Sequence, residues 1–491
     1  MRRICLTLPT NRPCAAAICD IGEEADHAAG HFGAEVHLLI LDSSGKDAFA
    51  EHAEVVAKAR RAPNVITHHL DETQQRDFLR RAIRRSGAAE PDLLLDLMLP
   101  SGVSYGACTN RAFLIAAALG CRSVHRRDSD STYQVLNGET VFPIHHELTS
   151  LGKTAADAAG GVSETVLDPA HSAKPVAMVG SSFVGELSVD IGEMSRLDNG
   201  IYHDVVSLWA PRHWSDEQKR ELVEESFRGA GTDPFVRDRS TLTHVDPMRV
   251  DMCNISFLDE VYERVPLPPA TDTIGSDYFL MHLVHDGTLP GVLHNRNIVN
   301  HYTAERRTDA GFMAYQLRFT KFFLSMLYFN FIYERMAAAG AALLDDDFRL
   351  RPETVAGLAR QSAGADREEN VHRLEVIERS YRRLGGRYAE FAETLASRGR
   401  QLLEEAQADI EHFALLTEAW HSLVRASRST AVHGADASAG VHGPATSGGA
   451  HGPVASTAVH GPDASAGVHR PATSGGVHRP GASTAVHRSS H

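Results

Sequence analysis

The first 135 residues alternate between segments that predict β-strands and segments that predict helices. Apolar runs at Ile4–Leu8 and Val36–Leu41 are typical of buried strands, and each is followed by a stretch with helical spacing. The alternation continues to a short run at Arg122–His125. This pattern predicts an α/β fold with a mostly parallel, Rossmann-type sheet that carries helices on both faces.

Polar residues follow three of the predicted strands. Pro9–Asn11 follow the first, Asp42–Ser44 the second, and Asp128 and Asp130 the last. Ligands of such sheets bind beyond the carboxyl ends of the strands, so we expect these residues to face one crevice. On an extended chain the carboxylates of Asp128 and Asp130 point the same way. They could hold one Mg²⁺ or Mn²⁺ ion, with a substrate phosphate completing the shell, or they could simply form a turn.

Composition excludes several classes of protein. The formal net charge of -14 over 491 residues argues against a nucleic-acid binder. The six cysteines show no Cys-x-x-Cys spacing, so neither a zinc site nor a disulfide framework is predicted. No apolar run reaches the roughly 18 residues that a membrane span requires. We therefore expect a cytoplasmic protein without a transmembrane segment.

The chain divides into three predicted parts. A catalytic domain covers residues 1–305, with a nucleotide-binding half at 1–135 and an acceptor half at 136–305 that contains strand-like pieces at Val176–Val179 and Val205–Ala210. A helical domain covers 306–426, and it could bind acceptor, form a homo-oligomer or support the core. Its aromatic segment Phe322–Phe331 favours a helix packed on the catalytic domain over contact with a membrane or with an apolar acceptor.

Residues 427–491 form a repeat tail. Histidines recur every nine residues from His433 to His487 among Gly, Pro, Ala, Ser and Thr. Such a composition buries too little apolar surface to offset its ordering entropy, so the tail is predicted to be disordered. The histidines could buffer a metal, but expansion of a DNA repeat explains them at least as well.

The run from Ser104 to Asp130 carries a family resemblance. It contains Asn110-Arg111 at a helix start, an alanine-rich helix, Gly120, a short strand and Asp-x-Asp. In this order it resembles the nucleotide-sugar-binding half of GT-A-fold glycosyltransferases, particularly the family-2-like group, whose segment reads Arg-Asn where this chain reads Asn-Arg. The resemblance covers residues 1–135 well and 270–305 moderately.

The resemblance implies a metal-dependent glycosyltransferase that uses a nucleoside-diphosphate sugar donor and a small-molecule or glycan acceptor. Charge develops on the leaving diphosphate, and a divalent cation (Mn²⁺ or Mg²⁺) held by Asp128 and Asp130 would neutralise it. The residues expected to contact the donor are Pro9, Thr10, Asn11, Asp42, Asn110, Arg111 and Arg127. Asp42 could instead be a cap or turn residue, and the Arg126-Arg127 pair could be a solvated surface pair.

Two residues from a later part of the chain complete the predicted site. Asp277 opens an apolar helix, where inverting members of the family place the catalytic base. His301 follows the apolar pair Ile298-Val299, where some members place a third metal ligand. Asp277 could equally be a helix cap, and His301 could belong to a polar network.

Two other functions remain open at this point. A nucleotidyltransferase also combines a nucleotide-binding α/β domain with acidic metal ligands, but it tends to open with a Gly-rich loop where this chain has Pro9–Pro13. A degenerate transferase fold kept as a binding protein is the non-catalytic alternative, and it predicts no donor hydrolysis and no metal dependence.

Overall fold

The computed structural model describes residues 1–186, 191–227 and 229–433. The predicted tail therefore lies outside the described residues from position 434 onward. All described residues fall within one compact unit. The first half of the α/β region runs β1 Arg3–Thr10, α1 Ala15–Phe32, β2 Glu35–Asp42, α2 Lys46–Lys58, β3 Val65–Leu70, α3 Glu72–Ser86, α4 Pro91–Met98, α5 Tyr105–Ala118 and β4 Ser123–Arg127.

The middle of the chain contains shorter elements. In order they are β5 Ser131–Tyr133, β6 Val135–Leu136, β7 Glu139–Thr140, α6 Ile144–Ser150, α7 Ala155–Ala158, β8 Glu164–Thr165, β9 Met178–Gly180, β10 Phe183–Gly185, α8 Ile191–Leu197, α9 Asn199–Val206, α10 Asp216–Glu225, β11 Ser240–Thr243, β12 Asn254–Leu258, α11 Asp259–Tyr262, α12 Phe279–Asp286, β13 Gly291–His294 and β14 Ile298–Asn300. Four helices follow: α13 Asp309–Ala339, α14 Pro352–Ser362, α15 Glu368–Leu384 and α16 Gly386–Ser427.

The main sheet confirms the predicted fold class. Its strand order is β3-β2-β1-β4-β12-β9-β13-β11-β8, and six of these nine strands run in one direction. The first four strands have the 3-2-1-4 order of dinucleotide-binding sheets. β12 runs antiparallel to β4, pairing Asn254 with Arg127. Residues just before β12 therefore lie at the same sheet edge as residues just after β4.

Alternating side chains along the strands build a core on each face of the sheet. In β2, Leu39 and Leu41 belong to the larger core, while Leu38 and Ile40 belong to a second core on the opposite face. Helices α3, α5 and α12 contribute to the larger core, and α1 covers the other face. Helices on both faces are thus confirmed.

The C-terminal helices pack on the larger core. The aromatic segment Phe322–Phe331 lies within α13, and its Phe323 and Tyr328 are almost fully buried in that core. The prediction of a helix packed on the α/β region is therefore confirmed. Among the described residues, no helix combines the length and the apolar character that crossing a membrane would require.

One strand prediction is wrong. Val205–Ala210 was expected to be strand-like, but Val205 and Val206 end helix α9 and a 3-10 turn follows at Ser207–Trp209. The Asp198 carboxylate accepts hydrogen bonds from the Gly200 and Ile201 N–H groups and so caps this helix. The apolar run is the buried face of a capped helix.

Candidate active site

A polar cleft lies at the carboxyl edge of β1, β2 and β4, and it encloses about 480 Å³. Five arginines reach its walls, and we call it the arginine-lined cleft: Arg12, Arg111, Arg126, Arg306 and Arg318. The strand ends contribute Pro9, Thr10, Asn11, Ser43, Asp128 and Asp130. The expected convergence of three strand ends on one crevice is therefore present in the structure.

A second cavity of about 200 Å³ adjoins this cleft, and we call it the aromatic cavity. Six aromatic side chains line this cavity and not the cleft: Phe183, Trp209, Phe227, Tyr278, Phe322 and Tyr333. It shares Tyr105, Asp128, Asp130, Arg306 and Tyr315 with the arginine-lined cleft. The Asp128-Ser129-Asp130 segment thus lies where a polar, basic space meets an aromatic one.

Alternation along β4 assigns its charged side chains to different faces. Arg126 lines the cleft, whereas Arg127 points to the opposite face and meets Glu24 on α1 at 2.7 and 2.9 Å. Arg127 also donates to Glu147 at 3.1 Å, and all three side chains are buried. The structure therefore does not bring Arg127 to the cleft, where the donor contact was predicted. Its guanidinium hydrogen-bonds to two buried carboxylates on the far face of the sheet.

Asn110 also differs from its predicted role. Its carboxamide is fully buried, donating to the Leu267 carbonyl at 2.8 Å and accepting from the Leu267 N–H at 2.8 Å. It therefore ties α5 to the segment that leads to Asp277, and it has no face toward the cleft. Arg111 reaches the cleft wall while donating to Gln75 at 2.8 Å and to the Met98 carbonyl at 2.7 Å.

Asp42 lies beneath the cleft rather than in its wall. Its carboxylate is fully buried and is held by His52 at 2.7 Å, by His69 at 2.9 Å and by the Ser44 N–H at 2.9 Å. Burial disfavours the charge, but the hydrogen bonds from His69, Ser44 and His52 outweigh it and hold the pKa of Asp42 well below its ordinary value. Asp42 therefore shapes the loop that carries Ser43 into the cleft.

The Asp42, His52 and His69 group also has the spacing of a metal site. Within the described residues, it is the one set of three or more such side chains whose potential ligand atoms lie within 4.8 Å of one another. However, His52 Nε2 accepts the Cys14 N–H at 2.9 Å, so His52 Nδ1 carries a proton and donates it to Asp42. The hydrogen bonds describe a closed structural network.

Asp128 and Asp130 have long ion pairs. Asp128 lies 3.1 Å from Arg126, and Asp130 lies 3.3 Å from both Arg12 and Arg306. Charge-assisted hydrogen bonds are usually 2.7–2.9 Å long, so these carboxylates retain acceptor capacity toward a ligand. Hard oxygen donors of this kind fit a divalent cation whose remaining ligands come from phosphate and water.

The predicted third metal ligand is not brought to these carboxylates. The His301 N–H donates to the Asp130 carbonyl at 3.1 Å, but its ring Nε2 lies 2.9 Å from the Thr132 hydroxyl. The antiparallel pairing of Asn300 with Ser131 carries the histidine ring along β5 instead. His301 thus belongs to a polar pair in this structure, and the predicted set of metal ligands reduces to two carboxylates, Asp128 and Asp130.

The electrostatic surroundings of Asp128 predict how the stability of the folded protein depends on pH. Its restricted contact with water raises its pKa to about 6, with Arg126 opposing and the carboxylates of Asp130, Asp251 and Asp277 adding to the effect. A raised pKa in the folded state means that stability falls as pH rises from about 4 to about 6. Asp128→Asn should therefore raise the free energy of unfolding by about 1–2 kcal/mol above pH 6 and leave it nearly unchanged near pH 3.

Denaturant unfolding of both proteins at pH 3 and pH 7.5 measures this difference. A gain in stability that accompanies a loss of activity marks a residue kept for function rather than for folding. Equal or lower stability of the Asn variant at pH 7.5 would contradict the prediction.

Asp277 lines the aromatic cavity and is almost fully buried. Arg126 donates to it at 2.6 Å, so one guanidinium bridges Asp277 and Asp128. Burial raises the pKa of Asp277 against the opposing effect of Arg126. Gly275, at φ 74°, begins the 3-10 turn Ser276–Tyr278 that presents this carboxylate before α12.

Several cavity residues were missed by the sequence analysis. Arg306, Tyr315 and Arg318 come from the region that was predicted as a separate helical domain, and no local motif marks them. Asp251 reaches the cavity because β12 is antiparallel, so the chain before it returns to the site edge. An apolar strand preceded by an acidic residue is a usable signal only when the direction of the strand is known.

Comparison with known proteins adds the following. No curated protein matches the chain. A solved mannosyltransferase, PcManGT from Pyrobaculum calidifontis in complex with GDP-Man and Mn2+, aligns at 13% identity over 85% of this chain and 88% of that chain, with a TM-score of 0.35. Similarity at that level is too low to establish a shared fold, so the case for a function rests on the site itself. Residues 2–436 match a family described only as a family of unknown function, DUF6271, and the chain belongs to that family.

Proposed function

We propose that the protein is a glycosyltransferase that moves a sugar from a nucleoside-diphosphate donor to an acceptor. The observation that carries the proposal is the meeting of two unlike cavities at Asp128 and Asp130. The arginine-lined cleft suits an anionic diphosphate, and the aromatic cavity suits an organic acceptor. The bond to be exchanged would then lie at their junction.

The donor is proposed to occupy the carboxyl edge of the strands. Pro9, Thr10, Asn11 and Ser43 line the part of the cleft formed by β1 and β2, where the base and ribose would lie. Arg12, Arg306 and Arg318 would contact the diphosphate. A divalent cation held by Asp128 and Asp130 would supply further positive charge as the diphosphate leaves.

The acceptor is proposed to lose its proton to Asp277. As the acceptor oxygen bonds to the anomeric carbon, the bond from that carbon to the diphosphate oxygen breaks and its electron pair leaves with the diphosphate. The hydroxyl proton passes to the Asp277 carboxylate, whose pKa is raised by burial. Arg126 bridges Asp277 and Asp128 and so fixes the base relative to the junction.

Donor binding to the full chain tests this proposal. The thermal unfolding midpoint is measured with UDP-, GDP- and dTDP-sugars, each with Mn²⁺ and with EDTA. One donor should stabilise the protein, by about 2.7 kcal/mol at 100 times its Kd, and EDTA should remove most of that gain. If no donor raises the midpoint, the proposal fails.

A matched pair of arginines on α13 localises the effect. Arg318 lines the cleft and has no ion-pair partner among the described residues, so Arg318→Met should weaken donor binding about tenfold without exposing an unpaired carboxylate. Arg335 lies on the same helix outside both cavities, against the Phe331 ring, so Arg335→Met should leave the donor-induced shift intact. Equal shifts in both variants would place the donor elsewhere.

A further inference from the structure

The aromatic cavity has walls suited to an apolar ring. The Trp209 and Phe322 rings meet edge to face with centroids 5.1 Å apart, and the Trp209 and Phe227 centroids are 5.7 Å apart. On another wall, the Tyr333 ring stacks on His282 at 4.0 Å. Met248, Met252 and Met326 also line the cavity. Such surfaces bind apolar and aromatic groups by burial and by ring stacking.

The cavity is lined by more acidic than basic side chains. Five carboxylates line it, against a single arginine, Arg306: Asp128, Asp130, Glu225, Asp251 and Asp277. Arginines compensate Asp128, Asp130 and Asp277 at distances from 2.6 to 3.3 Å, and Arg249 lies 3.5 Å from Glu225 at the exposed mouth. These four acidic side chains therefore leave little uncompensated charge.

Asp251 is the exception. Its Oδ1 accepts the Cys253 N–H at 2.9 Å and its Oδ2 accepts the Tyr278 hydroxyl, and both donors are neutral. In the part of the chain that the structure describes, no Lys, Arg or His forms an ion pair with Asp251. A carboxylate whose two hydrogen-bond donors are neutral, beside aromatic rings, offers an ion-pair partner to a cationic ligand.

We infer that the aromatic cavity binds an acceptor that carries a cationic amine beside an apolar ring, with the ammonium group against Asp251. The ammonium would pair with this carboxylate and with the faces of the neighbouring rings, while the apolar part lies against Trp209 and Phe322. The same carboxylate of Asp251 would repel an anionic acceptor. The inference deepens the proposed transferase function, and it rests on that function because the bound amine is taken to be the sugar acceptor.

The two cavities then have opposite charge preferences. The arginine-lined cleft takes the anionic donor and the aromatic cavity takes a cation, so electrostatics alone would keep the substrates from exchanging places. Asp251 would anchor the amine while Asp277, in the same cavity, faces the hydroxyl. Asp251 thus has a binding role, and Asp277 has the catalytic one.

Matched small probes test the inference on the full chain without any donor. Isothermal titration compares 2-phenylethylamine with 2-phenylethanol and 3-phenylpropionate, which share the ring and differ in charge. The amine should bind at least about tenfold more tightly than the alcohol, the acid should not bind, and added salt should weaken only the amine. Asp251→Asn should lower the affinity for the amine to that for the alcohol and leave the alcohol unchanged.

Asp168→Asn provides the control variant. Asp168 is exposed, caps a short turn by accepting the Ala170 N–H at 2.8 Å, and lies outside both cavities. It should retain the full preference for the amine. Equal binding of amine and alcohol by the unmodified protein, or an unchanged preference in Asp251→Asn, would overturn the inference.

Donor binding separates this inference from the transferase proposal. An amine preference without any donor-induced stabilisation would support the cation site and overturn the transferase. Donor-induced stabilisation without an amine preference would overturn the inference alone.

Discussion

Replacing Asp277 with Asn is expected to lower the turnover number about 10²–10⁴-fold while donor binding stays within a few-fold of its original value. The amide has nearly the shape of the carboxylate, and its oxygen can still accept the hydrogen bond that Arg126 donates at 2.6 Å. It cannot take up the acceptor proton. Initial rates of sugar transfer, together with the donor-induced shift in unfolding midpoint, measure both quantities.

Asp259 offers a matched control for this change. It is also a buried aspartate at the start of a helix, and it also pairs with an arginine, Arg122, at 2.7 Å. It lines neither cavity, so Asp259→Asn should retain the turnover number of the unmodified protein. Full turnover by Asp277→Asn would exclude Asp277 as the base.

Replacing Arg127 with Met is expected to lower the free energy of unfolding by about 3–5 kcal/mol, because two buried carboxylates lose their cation. Glu24 and Glu147 are both fully buried, and Arg127 contacts each of them. Burial disfavours the ionised form of Glu147, but Arg127 and His125 outweigh it and lower its pKa to about 2. Urea unfolding at pH 7 gives the difference in stability.

Arg122→Met is the control for Arg127→Met. Arg122 precedes the same strand and forms an ion pair with Asp259, but more than half of its side chain is exposed. Because water reaches the Arg122 guanidinium, its pair with the buried Asp259 carboxylate is worth less than the fully buried network, so this variant should lose clearly less stability than Arg127→Met. If both variants lost similar free energies of unfolding, the buried network of Arg127, Glu24 and Glu147 would not provide the expected stability.

Strands β1 and β2 could be predicted because each is a largely apolar run that ends at polar residues. The apolar segment Asp92–Met98 does not by its sequence separate strand from helix, and it forms α4 with Pro91 at its first position. Within the predicted helical domain 306–426, the stretch Glu368–Arg425 is rich in helix-forming residues, yet it divides at Gly385, where φ is 74°. One glycine in a helix-rich stretch does not reveal whether the helix ends there or continues.

The residues of the site that lie at strand ends could be predicted from the sequence. The directions and partners of individual side chains could not. Pro9, Thr10, Asn11, Asp128 and Asp130 line the cleft because chain order alone brings the ends of parallel strands together. Asn110 and Arg127 had the expected positions, but their side chains bond to Leu267 and to Glu24 and Glu147. Sequence spacing locates a residue on a strand or helix but does not identify its partner.

Contributions from distant parts of the chain could not be predicted at all. Tyr315 and Arg318 reach the cleft because α13 packs on the larger core beside α12, and Arg306 lies in the 3-10 turn Ala304–Arg307 that precedes α13. Asp251 lies in the aromatic cavity only because β12 is antiparallel to β4. Both facts depend on tertiary packing of segments more than 100 residues from Asp128 along the chain.

Release of nucleoside diphosphate from a sugar donor is the most direct test of the proposed function. Each donor that stabilises the protein is incubated with the full chain and Mn²⁺, and the nucleotide products are separated and identified. The unmodified protein should release a nucleoside diphosphate, and Asp128→Asn and Asp277→Asn should release it at least about 100-fold more slowly. Unchanged release in both variants, or release of pyrophosphate as from a nucleotidyltransferase, would contradict the account.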